Sequence, residues 1–292
     1  HWIYETRRID ETLGRMSDFR KPTPPTYHPR RECGELTHYG DQTLVLLESI
    51  AASGKFDAQQ YLAAWQELFQ NYDGYIDGAT RQTLAAIAAG SPPPEAGSSS
   101  RDLAGAARIA PIVYLLRDDP ERLAAAARRQ TTLTHNHPQV IAAAEFYARA
   151  ARHALSGMPA RQAMERSAGE ASLPSEMLDW LDSGLRSSGA DTRTTVLEFG
   201  QACEIDQAFP ATVHLIAAYE SRLEEGLIEN VMAGGDSAGR GLITGMLLGA
   251  AGGPDALPRR WREGMRAGGR IDLLLTRIDQ TVPAPPDGPP AA

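Results

Sequence analysis
GGDSAGRGLITGMLLGA, residues 234–250, is the stretch on which the fold turns. A diglycine turn delivers Asp236, small residues follow, and Leu242, Ile243 and Met246 then recur at helical spacing. Gly241, Gly245 and Gly249 lie four residues apart and share one helix face. A glycine inside a helix costs roughly 1 kcal/mol against alanine. Three on one face predict a second helix packed tightly there, fixing the loop that carries Asp236. Asp236 stands where an N-cap belongs, or where a charged ligand is held against the helix start. The residues alone leave both readings open.

Outward from this stretch, helical periodicity dominates and strand signals are almost absent. Residues 43–54 are apolar on a broad face, with Gly54 as the stop. Asp57 N-caps a helix that places Tyr61, Trp65 and Phe69 four apart. Further helices are predicted at 79–89, 101–116, 120–129, 138–155, 159–168, 174–185, 192–202, 209–217, 221–232 and 271–278, with the glycine-rich helix starting from Asp236. Pro120 and Pro138 suit the first helical turn. The first 35 residues, with Pro22, Pro24, Pro25 and Pro29, read as irregular. The expectation is all-α: one domain of many short helices over residues 1–281, with a proline-rich, disordered tail at 282–292. No repeat of solenoid length is present.

Composition narrows the function. A length of 292 residues, 42% apolar and 23% charged, suits an ordinary soluble globular protein. A net charge of -8 argues against a general nucleic-acid binder, while leaving room for a local positive pocket that takes a small anion. The longest apolar run, 242–251, is about half a membrane span and contains glycines. Cys33 and Cys203 are too few for a disulfide framework, so reduced thiols and a cytoplasmic location are expected.

Several constellations can carry chemistry. THYGDQT, residues 37–43, gathers oxygen groups where a loop becomes a helix. Asp41 or Thr43 serves there as an N-cap, or the group projects into a cleft as hard-metal or hydroxyl ligands. THNHP, residues 134–138, sets two histidines before a helix, but no HExxH or CxxC completes a zinc site. DGYIDG, residues 73–78, fails as a calcium loop, since Tyr75 and Leu84 occupy ligand positions; a turn is the better reading. Arg101 and Arg108 lie seven apart, on one side of a predicted helix that could receive an anion at its start. No GxSxG, P-loop or GxGxxG pattern is present.

Taken in order, HWIYE (1–5), GELTHYGDQTLVLLES (34–49), DLAGAARIAP (102–111), THNHP (134–138) and the 234–250 stretch resemble the ADP-ribosylglycohydrolase family. They look closest to its J1-crystallin/selenoprotein J-like branch. The resemblance covers most of the chain and implies a compact all-α domain with a central cleft. It also implies two magnesium ions, held by a Thr-Asp-Asp-Thr motif and a Gly-Gly-Asp-x-Asp-Thr motif. Here these read Gly40-Asp41-Gln42-Thr43 and Gly234-Gly235-Asp236-Ser237-Ala238-Gly239. Asp41 and Asp236 survive of four expected carboxylates, so the charge opposite the metals falls from -4 to -2. One magnesium ion or none is therefore expected, with Asp41, Thr43 and Asp236 as its ligands.

The resemblance also assigns roles around that centre. His1 stands about where the family's N-terminal catalytic glutamate falls, and its imidazole can move a proton near neutral pH. Gln42, Ser100, His135, Ser237 and Arg240 are the expected ligand contacts, Arg240 supplying positive charge where metal is reduced. The implied partner is a small ADP-ribose-like molecule, with neither nucleic acid nor membrane. Two functions follow. One is hydrolysis of an N- or O-glycosidic bond to ADP-ribose or a related nucleoside, with Asp41 and Asp236 as catalytic residues that hold one ion or position water directly. The other is an inactive ligand-binding or structural, crystallin-like protein.

Overall fold
The computed structural model describes residues 2–281. His1 and the expected disordered tail lie outside the described residues. The first part runs α1 (Thr6–Thr12), α2 (His38–Ser53), α3 (Ala58–Gln70), α4 (Gly78–Ala88), α5 (Ala104–Ala107), α6 (Ala110–Leu116), α7 (Pro120–Thr132) and α8 (Pro138–Leu155). It continues with α9 (Ala160–Glu170), α10 (Ser175–Arg186), α11 (Thr192–Phe199), α12 (Ile205–Ala218), α13 (Leu223–Met232), α14 (Ser237–Gly252), α15 (Arg259–Gly264) and α16 (Gly268–Thr281). Among the described residues there is no strand, only isolated bridges pairing Ser98 with His135 and Asp102 with Glu204. The all-α expectation holds.

At the centre lies α8, buried without a break from Ala143 to Ala151. The run includes Glu145 and Arg149, which neutralise each other as an ion pair at 2.9 Å, and its alanines let α5, α7, α9 and α14 approach closely. Phe146 and Tyr147 meet Phe209 of α12 at ring separations of 5.4 and 5.3 Å. One apolar cluster extends from Leu46 through these residues to Ile278.

The glycine stripe finds its partner in α13, in antiparallel register. A Cβ on Gly241 would stand 3.0 Å from Asn230 Nδ2; on Gly245, 3.8 Å from Leu227; on Gly249, 3.6 Å from Leu223. Contact is tight only at Gly241.

Four local expectations are corrected. Residues 6–12 form a helix, so the N-terminal region is not wholly irregular. α2 begins at His38, a turn earlier than the apolar face, and its N-cap is Thr37. Neither Asp41 nor Thr43 therefore caps it; a loop-to-helix boundary was read too late. The predicted helix 101–116 is replaced by α5 and α6; Arg101 lies in the chain before α5, and Arg108 is the residue that ends it. Arg101 pairs with Asp206 at 3.2 Å, whereas Arg108 is wholly buried. Finally, α12 starts before Phe209 and carries Pro210 inside it. By contrast, Asp57 caps α3, accepting from the Gln59 and Gln60 amides, and Gly54 ends α2 at φ +67°.

The stripe makes a graded prediction. Gly245→Ala, with room for a methyl, gains about 0.5–1 kcal/mol of stability in urea unfolding. Gly105→Ala, whose Cβ would fall 2.4 Å from the His135 ring, loses about 1–3 kcal/mol. Equal effects at the two sites would refute this packing.

Candidate functional site
The loop before α14 is built by close backbone approach. Gly234 and Gly235 adopt φ of +73° and +65°, and a Cβ on Gly235 would lie 2.2 Å from the Gln201 carbonyl oxygen. The Gly235 amide donates to Ile3 O at 2.8 Å and the Asp236 amide to Gln201 O at 2.9 Å. Asp236 caps α14, its Oδ1 accepting from the Gly239 amide at 3.2 Å. The same oxygen accepts from the Trp2 indole at 2.6 Å. The capping expectation is met, and the other segments close around it.

Arg240 sits behind this loop, fully buried. Its Nε donates to Asn230 Oδ1 at 3.1 Å, Nη1 to Gln201 O at 3.3 Å and Nη2 to Gly234 O at 2.5 Å. Burial lowers its pKa to about 10, so it remains cationic at neutral pH beside Asp236. The guanidinium therefore braces the loop, with every nitrogen committed to a protein oxygen. Ser237 is also buried, its amide donating to Gly235 O at 2.9 Å and its carbonyl accepting from Asn230 at 2.7 Å.

Asp102 was not among the residues singled out from sequence, yet it stands next to Asp236. The bridge between Asp102 and Glu204 holds it there, with the Leu103 amide donating to Cys203 O at 2.9 Å. Its Oδ1 accepts from the Ala104 amide at 2.8 Å and its Oδ2 from the Tyr39 hydroxyl at 3.3 Å. Part of the residue meets solvent, but burial of the carboxyl, with the Asp236 charge beside it, pushes its pKa up to about 7. Burial also raises Asp236, against the Gly239 amide and the Arg240 charge. The Cys203 thiol is pushed up by burial and by the same two carboxylates.

Asp41 belongs to a different cluster. Its Oδ2 accepts from Arg31 Nη2 and from the Tyr72 hydroxyl, both at 2.5 Å. Gln42, beside it in sequence, points into the core: Oε1 accepts from Trp65 Nε1 at 2.7 Å and from Arg108, and Nε2 donates to His38 O at 3.1 Å. Thr43 turns its hydroxyl back to Tyr39 O at 2.9 Å. Arg108 also donates to Thr134 Oγ1 at 2.6 Å and lies 3.3 Å from His135 Nδ1. His135 is buried, and desolvation with the Arg108 charge lowers its pKa to about 3, leaving it neutral. Ser100 Oγ accepts from the Asp102 amide at 3.2 Å.

The five sequence segments thus meet, but the predicted residues divide. Asp236 joins Trp2, Tyr39 and Asp102; Asp41 joins Arg31 and Tyr72; Gln42 and His135 share Arg108. Between the clusters the Trp2 ring is enclosed by Tyr27, His38 and Tyr75 at 5.0, 5.3 and 5.3 Å. Among the described residues no three His, Cys, Asp or Glu side chains are disposed to hold a metal ion. His1 lies outside the described residues.

Two outcomes test this geometry. Trp2→Phe keeps the ring packing but removes the donor to buried Asp236, and costs about 1–3 kcal/mol in urea unfolding. For Asp102, the folded pKa of about 7 exceeds the ordinary carboxylate value of about 3.9, so its contribution is full below about pH 4 and lost as pH rises through 7. Asp102→Asn therefore flattens the decline of stability between pH 5 and 8. An identical pH profile in the variant would contradict a buried, neutral carboxyl.

Comparison with known proteins agrees with the fold. The family model described as ADP-ribosylglycohydrolase matches residues 2–286. A solved structure titled "ADP-ribosylglycohydrolase-related protein complex" superposes with a TM-score of 0.70 and 26% identity, covering 92% of this chain and 88% of that one. Nothing among curated proteins matches. The chain belongs to the ADP-ribosylglycohydrolase family.

Proposed function
We propose that this member of the family binds an ADP-ribose-like nucleotide without a two-magnesium centre, and that recognition rather than metal-assisted hydrolysis is its main task. One observation carries the reading: the donors left in the two motifs are committed to separate protein partners. Asp41 is held by Arg31 and Tyr72, Asp236 by Trp2 and the α14 amide, and Gln42 by Trp65 and Arg108. Magnesium needs oxygens converging in near-octahedral geometry. These residues do not fit a pair of ions.

A second reading, hydrolysis without metal, has its own support. Asp102 and Asp236 form a buried carboxyl pair, and a carboxyl with a pKa of about 7 can donate a proton to a leaving oxygen near neutral pH. The J1-crystallin-like branch suggested by sequence accords with the binding reading, since it shows the fold recruited without chemistry. A reducing, cytoplasmic setting accords with two free thiols at Cys33 and Cys203.

Calorimetric titration of ADP-ribose, with Mg²⁺ and with chelator, tests the proposal. The affinity is expected to change by less than about tenfold between the two conditions. Binding that requires Mg²⁺ and disappears in Asp236→Asn would overturn it. Release of ribose products in chelator, abolished in Asp102→Asn, would favour the second reading.

A further inference from the structure
A cavity of about 360 Å³ opens between α2, α6, α14 and α16, at the small end of the range for small-molecule sites. Its wall exposes no polar surface. Leu36, Leu44, Tyr114, Leu242, Ile271 and Leu275 line it, and all six are half-buried. Large apolar side chains that keep solvent contact around one concavity mark a site for an apolar ligand. The hydroxyls in the wall are spent elsewhere: Thr43 Oγ1 donates to Tyr39 O at 2.9 Å, and the Tyr114 hydroxyl donates to Asp279 at 2.7 Å.

The sequence of α2 keeps this cavity apart from the motif clusters. Asp41 turns to Arg31 and Tyr72, and Gln42 turns into the core. Gly40, Thr43, Leu44 and Leu47 recur at helical spacing and form a third face. The opposite wall belongs to α16, and two ion pairs join the walls. Arg270, next to Ile271, has Nη2 2.6 Å from Glu48 Oε1; Arg266, next to Met265, has Nη1 3.6 Å from Glu35 Oε1. The first contact is close but misaligned, since Glu48 Oε1 is buried without a hydrogen-bond partner. The Arg270 side chain is 64% exposed. A guanidinium carries five donors, so a cationic fork stands beside an apolar wall with its hydrogen bonds unspent. At about 30 Å³ for each water-sized group, the cavity holds roughly a dozen heavy atoms.

We propose that this cavity binds a medium-chain aliphatic carboxylate, its chain against Leu44, Leu242, Ile271 and Leu275 and its carboxylate on Arg270. The lining selects an unbranched apolar body, because any polar group in it would be buried without a partner. The free guanidinium selects an anionic end, which it can receive in a forked pair. A saturated chain of about eight to ten carbons with a carboxylate matches the volume. The site is independent of the nucleotide reading, since none of these residues touches Asp102 or Asp236.

The experiment is calorimetric titration of octanoate and, separately, of octanol into the full chain, below micelle-forming concentrations, with the molar mass followed by light scattering. Octanoate is expected to bind at one site, at least about threefold tighter than octanol. Arg270→Gln, at an exposed side chain, should remove that difference and leave octanol unchanged. Leu44→Trp, which fills the cavity, should weaken both at least about tenfold, with circular dichroism checking that the helices persist. Arg277→Gln, an exposed cation away from the lining, should change neither. Octanoate binding untouched by both Leu44→Trp and Arg270→Gln would overturn the site. Equal binding of octanoate and octanol, indifferent to Arg270→Gln, would overturn the carboxylate assignment. No binding to the unaltered protein would overturn the proposal, and a dimer that Leu44→Trp dissociates would then assign the cavity to a second copy of the chain.

Discussion
A single buried cation organises this molecule's candidate site. Arg240 has no solvent to share its charge, and an unpaired guanidinium in the interior is costly. Its partners come from three places in the chain: Asn230 on α13, Gln201 in the connection between α11 and α12, and Gly234 in the turn before its own helix. Satisfying it forces those elements together. The left-handed glycines, the capped helix and the position of Asp236 are consequences of that demand. Arg240, which the family resemblance offers as a source of positive charge at the site, braces the loop through these three carbonyl and amide oxygens.

The charged residues of the two motif segments are each paired within the protein. Asp41 forms a short pair with Arg31 and shares its oxygen with Tyr72. The glutamine beside it lets Arg108 remain buried without a carboxylate, through Gln42, Thr134 and a neutral His135. On the other side, burial and the Asp236 charge together hinder ionisation of Asp102. The result is a set of internally balanced clusters joined by aromatic rings.

Much of the fold was legible in the sequence because its signals are local. Helical periodicity, Asp57 and Asp236 as caps, Gly54 as a stop, and the glycine stripe facing α13 each depend on residues near one another in the chain. What escaped depends on tertiary placement. The start of α2 at His38 was hidden because Thr37 makes no side-chain cap contact. Asp102 reads locally as a turn residue; its pKa is raised by burial and then by the Asp236 charge, both supplied by distant segments. Arg31 and Tyr72 have no shared motif and meet only because α2 brings Asp41 between them. Arg108 shares a helix face with Arg101 on spacing alone, but α5 begins only at Ala104 and leaves Arg101 outside it.

The bond from Trp2 to Asp236 joins residues separated by 234 positions. Such contacts must overcome the loop-closure entropy of most of the chain. During synthesis the aromatic rings around Trp2 emerge early, whereas the aspartate that receives its indole proton emerges late. Helices built from local contacts can form in the meantime, but the Trp2 segment has no anchor until α14 has been made and docked. The carboxyl centre is thus sealed only once α14 has docked, with α15 and α16 still to follow in the chain.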